Sequence, residues 1–482
     1  MSAAFAAVLL LAALAPLAHG APEAPATAPS QHDLNLAQSH RDDRTNLALY
    51  RGNPDVLVLP GLLANRKDKT VTIRAEATAL GDDTPIEFFL VPDTSPKDYE
   101  ALAVCFAKPS DIHKALEFLG MKPGSPVNFG TLRYWPKGER VFMSFAWQDP
   151  AGPGKPPVSH RVRAEAMLSD TRTHQALPSA GMVFCGSYSV PLAEDPGRPE
   201  YRADWGEPNC VASNYNEPTT VLDLPRQAPQ GTVYATQQPN PAYHLAPRQP
   251  IEVMLEPEYK DGRKRVRDLT LQVTLPPHAF GTDLSSLHLA LSDARGQPLD
   301  AGGTTLVHVL AALDKITERG QDPFVTVEWG DTLPIRTLTQ FAVLLGSVET
   351  QRGIRIEPPG PGQLYYRALL PDERWRDPAM RMGQPWELHV RVQDGRAAGT
   401  LVEVRENWDV PDPPRFETKA TPVADGQELA RALTAHDGDR PRGVLVFIDP
   451  GATYGVMMTL LRPALATHNK ILVFAEGPPA KP

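Results

Sequence analysis

"PFVTVEWGDTLPIRTLTQFAVLLGSVETQRGIRIEPP", residues Pro323–Pro359, runs from an apolar strand pattern through a loop with Gly330 and Asp331 into apolar residues at helical spacing and a second strand pattern. Strand periodicity on both sides of helical periodicity predicts a β-α-β unit. The stretch RGVLVFIDPGATYGVMMTLLRPALATHNKILVFAE, Arg442–Glu476, repeats that order. A short amphipathic pattern precedes each copy, TTLVHVLAALDKI before the first and GQELARALTAH before the second. Together they predict two α-β-α-β units, over 303–370 and 416–482. Chance likeness between any two β-α-β segments of similar length is the competing explanation.

Outward from these units, the 482 residues suffice for two to four domains, and 51 prolines mark their limits. The start, MSAAFAAVLLLAALAPLAHGA, reads as a Sec-type signal peptide over 1–20, although no Lys or Arg precedes its apolar run. It predicts a periplasmic or secreted protein. No later apolar run is long enough to cross a bilayer, so no transmembrane segment is expected in the mature chain. A net charge of −9 argues against a nucleic-acid partner. APEAPATAPSQ opens a segment, 21–49, expected to be a disordered Ala/Pro-rich tether, because it is poor in large apolar groups.

Between 50 and 258 the patterns DVLVLPGLL, TVTIRAEAT, PIEFFLVP, RVFMSFAW, GMVFCGSYSV and PIEVMLEP read as half-buried strands. One clear helix stands among them, in AKPSDIHKALEFLGMKPG, Ala107–Gly124. Ser110 is expected to cap it and Gly120 to stop it, with Ile112, Ala115, Leu116 and Leu119 on its buried face. His113 lies off that stripe, and its expected role is packing or surface rather than chemistry. Cys185 and Cys210 form a candidate disulfide, conditional on geometry that sequence does not show. Cys105 is expected to be a small buried apolar side chain.

The ordered segments HKALEFLGMKPG, LRYWPKGERVFMSF, GMVFCGSYSV and YRADWGEPNCVASNYNEPTTVLDLP resemble the YdjY-like domain family of bacterial exported proteins, over about 50–258. That resemblance implies an envelope protein and assigns neither an activity nor catalytic residues. The final unit resembles the periplasmic domain of the ExbD/TolR family, through a strand ending in Asp449, the turn to Tyr454 and Gly455, and a helix leading into KILVFAE. It implies self-association, or docking to envelope proteins or peptidoglycan. Members of that family carry a membrane-spanning helix, which this chain lacks after residue 20, so motor function does not transfer. Asp449 is expected to accept hydrogen bonds within its turn.

The remaining segments are a β-rich connector, 259–302, and a β-rich segment with a Pro-rich linker, 371–415. In the latter, Trp375 and Trp386 are either interface anchors or core residues, the core reading being favoured. The expected fold class is therefore α+β and multidomain: a β-rich N-terminal domain with one clear helix, then two small ExbD/TolR-like α/β units.

Motifs for zinc proteases, nucleophile elbows, phosphate loops, dinucleotide sites and C-x-x-C pairs are absent from the sequence, and no cofactor or metal is expected. The leading function is a non-catalytic binding or assembly protein of the cell envelope. The alternative is an envelope hydrolase whose carboxylates meet only in the fold; a deep pocket holding two acids, or an acid and a histidine, would favour it.

Overall fold

The computed structural model describes residues 28–476 apart from 79, 82, 151–155, 193, 194, 196, 206, 207, 235, 277–282, 372–383, 408–414, 438–440 and 469. The segment expected to be a signal peptide, 1–20, and Trp375 lie outside the described residues.

The first half is built from α1 (Gln31–Leu49), β1 (Val56–Leu59), β2 (Leu62–Asn65), β3 (Thr70–Ala77), β4 (Phe88–Pro92), β5 (Ala101–Cys105), α2 (Pro109–Phe118), β6 (Arg140–Asp149), β7 (Val158–Arg163), β8 (Met182–Phe184), β9 (Ala212–Ser213), β10 (Leu222–Asp223) and β11 (Pro250–Pro257). Eight of these strands close a barrel in the order β3-β11-β6-β8-β10-β9-β4-β5, with β5 pairing back onto β3 through Ala75–Cys105 and Ala77–Ala103. Alternation makes the closure work. On β3 Val71, Ile73 and Ala75 are buried in the core, as are Ile251, Val253 and Leu255 on β11. An eight-stranded barrel is just wide enough for side chains to fill it, so ligand space must lie at its ends or outside.

Helix α1 corrects the expectation of a disordered tether, 21–49, over its residues 31–49; residues 21–27 lie outside the described ones. It starts with a capping box, Ser30 with Asp33, and buries Asn35, Ser39 and Asp43 instead of leucines. Asn35 Nδ2 donates to Glu76 Oε2 at 2.8 Å, His32 Nδ1 lies 2.8 Å from Glu76 Oε1, and Arg74 Nη1 donates to Asp43 Oδ1 at 2.6 Å. A test for apolar residues misses a helix whose docking face is polar.

On α2, Ile112, Ala115 and Leu116 are fully buried and Gly120 adopts φ +89°. The cap differs from expectation: the helix opens at Pro109, and the amide of Ser110 donates to the Asp204 carboxylate at 2.8 Å. A tertiary acceptor replaces the local one.

The second half contains β12 (Val266–Thr274), β13 (His288–Asp293), α3 (Leu306–Glu318), β14 (Asp322–Trp329), α4 (Ile335–Arg352) and β15 (Arg355–Glu357). After these come β16 (Trp386–Gln393), β17 (Arg396–Asn407), β18 (Arg415–Val423), α5 (Gly426–Asp437), β19 (Val444–Ile448), α6 (Tyr454–Leu461) and β20 (Ile471–Ala475). The sheets run β13-β12-β14-β15 and β18-β17-β16-β19-β20. In each, three neighbouring strands are parallel and the others extend one side antiparallel.

The expected fold class is thereby corrected. The first domain is a closed barrel with an added N-terminal helix. The later α/β segments are not free-standing α-β-α-β units resembling ExbD/TolR, because strands from both presumed connector segments complete their sheets. Both sheets also share one hydrophobic core. Their strand-to-helix turns pair directly: Ile335 N donates to Ala452 O at 2.8 Å and Tyr454 N to Leu333 O at 2.8 Å.

Barrel and α/β half meet at a charged seam. Asp322 lies 2.9 Å from Arg140, 3.1 Å from Arg265 and 3.2 Å from Arg355, while Arg133 pairs with Glu357. Burial pushes the Asp322 carboxyl up, but Arg355, Arg140 and Arg265 outweigh it and hold the group at about 2.

Candidate functional site

A cleft of about 560 Å³ opens between α1 and strands β3, β6, β7 and β11. Its volume is typical of small-molecule sites, which run to roughly 300–1,000 Å³. Helix α1 supplies Gln38, Ser39 and Asp42, β3 supplies Arg74, and β11 supplies Glu252. The hairpin of β6 and β7 adds Gln148 and Ser159, set opposite each other by its register, with Trp147 opposite His160 on the alternate face. The Trp147 and His160 rings stack with centroids 4.9 Å apart and planes 14° off parallel.

The polar groups of the cleft divide into committed and uncommitted ones. Arg74 is held by Asp42 at 3.2 Å and by Asp43 at 2.6 Å, and Gln38 Nε2 donates to Asp42 at 2.8 Å. Ser39 Oγ and Trp147 Nε1 are buried without a hydrogen-bond partner. Each such group costs on the order of 1–3 kcal/mol, and both atoms are enclosed, out of reach of a ligand in the open cleft. His160 Nε2 lies 2.9 Å from Asp149 Oδ2, an ion-pair distance without hydrogen-bond alignment. Glu252 is exposed at the cleft wall.

The residues singled out from sequence lie elsewhere. His113 is wedged edge-on against Phe184 and Tyr201. The Tyr201 hydroxyl donates to Gly186 O at 2.7 Å, so His113 Nδ1 donates to it at 2.8 Å. Burial keeps the His113 pKa below its ordinary value. The group therefore locks α2 to the barrel.

The candidate Cys185–Cys210 disulfide is corrected: all three cysteines are free and buried. Phe184 faces Leu222, which faces Ala212, so β10 lies between the two cysteine-bearing segments. Next-but-one strands stand roughly 9–10 Å apart, beyond the ~7 Å reach of a disulfide. Burial pushes the Cys105 thiol up to about 12. Distant carboxylates also gather under the β9–β10 loop, where Glu87, Glu217 and Asp223 are enclosed. Burial raises Asp223, which accepts from Asn216 Nδ2 at 3.0 Å.

Asp449 Oδ1 accepts the Gly451 amide at 2.7 Å. Tyr454 and Gly455 sit in the junction between the two α/β sheets: the Tyr454 hydroxyl receives the Leu364 amide at 3.2 Å, and Gly455 N donates to Asp331 O at 2.9 Å. Trp386 is a core residue, 2% exposed, whose Nε1 reaches the Asp437 carboxylate at 3.1 Å. Sequence reasoning missed the cleft entirely. Gln148 and Ser159 carry no local signal, since only strand register brings them together.

A YdjY domain matches residues 62–223. The match spans β2 to β10, and so includes Arg74, Trp147 and His160 but not α1 or Glu252. No curated protein and no solved structure matches the chain, and nothing matches an ExbD/TolR-type unit. Among the described residues no helix is long and apolar enough to cross a membrane.

Proposed function

We propose that this chain is an exported, non-catalytic binding protein of the bacterial cell envelope, which takes a small ligand into the cleft between α1 and the barrel. The carrying observation is that the exposed polar side chains of Gln148, Ser159 and Glu252 wall an open cleft beside α1, whereas the buried acids near β10 are enclosed. The YdjY domain supports the envelope setting, and the apolar start supports export. Envelope proteins or peptidoglycan fit as the larger partners carrying such a ligand.

The test is a thermal-shift screen of the mature protein and of Ser159→Trp, whose indole would fill the cleft from an exposed position. A ligand that raises the melting temperature of the first and not the second supports the reading; ligands acting equally on both defeat it.

The second reading is the envelope hydrolase, favoured by one observation: His160 Nε2 and Asp149 Oδ2 lie 2.9 Å apart on the β6–β7 hairpin, an acid beside a histidine. Hydrolysis of an envelope substrate that vanishes in His160→Gln, with a pH profile tracking a histidine, would establish it.

A further inference from the structure

The cleft's chemistry narrows the ligand class, an inference that rests on the cleft being the binding site. We infer that it takes a polyhydroxylated, saccharide-type ligand. Anionic ligands need a free cation, and Arg74, the cleft's arginine, is already held by two carboxylates at 3.2 and 2.6 Å. A purely apolar ligand would strand Gln148, Ser159 and Glu252, which are exposed on the walls. A cation would serve the Glu252 and Asp42 carboxylates but could not accept from the Gln148 amide or the Ser159 hydroxyl, whereas a ligand whose own groups both donate and accept serves all four. Hydroxyls do this: they donate to the acceptor-only carboxylates of Glu252 and Asp42, and pair in either sense with the Gln148 amide and the Ser159 hydroxyl. The C–H faces of a sugar ring fit the apolar part of the lining on the same face as these polar groups, Phe106, Ala146 and Pro250.

The test is calorimetric titration of the mature protein with chitotriose and maltotriose, with tripolyphosphate, spermidine and trialanine as probes of other classes, backed by an immobilised panel of hexose, N-acetylhexosamine and uronic acid chains. Saturable binding of a glycan is expected. It should be lost in Ser159→Trp and weakened about tenfold in both Gln148→Ala and Glu252→Ala, with circular dichroism and melting temperature showing all three variants folded. If a non-glycan probe binds instead and Ser159→Trp blocks it, the saccharide class is overturned while the cleft reading stands. Glycan binding indifferent to Ser159→Trp overturns the cleft as its site. Failure of every glycan overturns the class.

Discussion

At the scale of single residues, burial and partners decide what each group can do. The three thiols are enclosed, and burial pushes Cys105, Cys185 and Cys210 all upward, so thiolate chemistry is suppressed. The folded protein should not react with a thiol reagent, and the denatured, non-reduced chain should yield three titratable thiols; recovery of one would restore the bridge that β10 separates. Gly455 gives a second residue-scale prediction. A Cβ there would lie 2.7 Å from Asp331 Cβ and 3.1 Å from Asp331 O. In an ordinary helix Gly→Ala gains about 1 kcal/mol. Here Gly455→Ala should instead lose about 1–3 kcal/mol by overpacking the junction, read as a lower urea midpoint. A raised midpoint would show that the Asp331 loop yields.

At the scale of elements, α1 is the least expected feature. Asp43 joins it to the barrel twice, through Arg74 and through the Gly61 amide at 3.0 Å. Asp43→Ala should cost about 1.5–3 kcal/mol, the range for hydrogen bonds to a charged group. It should also raise amide exchange across 31–49. Unchanged exchange would mean that Asn35 and His32 hold the helix without it. The contrast with α2 explains what could be read beforehand. The stripe of Ile112, Ala115, Leu116 and Leu119 was legible because apolar spacing is a local property. The α1 face of Asn35, Ser39 and Asp43 was not, since a polar face becomes a docking face only when its partners are in place. The Ser110 cap failed for a related reason: Asp204, far along the chain, reaches that amide first.

At the scale of the whole molecule, the seam around Asp322 ties the barrel to the α/β half. Its carboxyl is held at about 2, below the unfolded value near 3.9. A depressed acid contributes stability that is fully present above the unfolded value and is lost as pH falls through the folded one. The melting temperature should therefore drop between about pH 4 and pH 2, and Asp322→Asn should flatten that drop while lowering stability at neutral pH. An unchanged acid limb in the variant would place the pH dependence elsewhere.

The sequence by itself determined the local elements: the β-rich patterns of the first half, α2 with its glycine stop, and the strand-turn-helix-strand order at Pro323–Pro359 and Arg442–Glu476. Propensity, turn chemistry and periodicity act over a few residues and are written there. Only the tertiary structure decided that β5 returns to β3 to close a barrel, that strands from both presumed connectors complete the α/β sheets, and that Gln148 stands opposite Ser159 across the cleft from α1. Those outcomes depend on strand register and on which surfaces exclude water, and both are set by groups far apart in the chain.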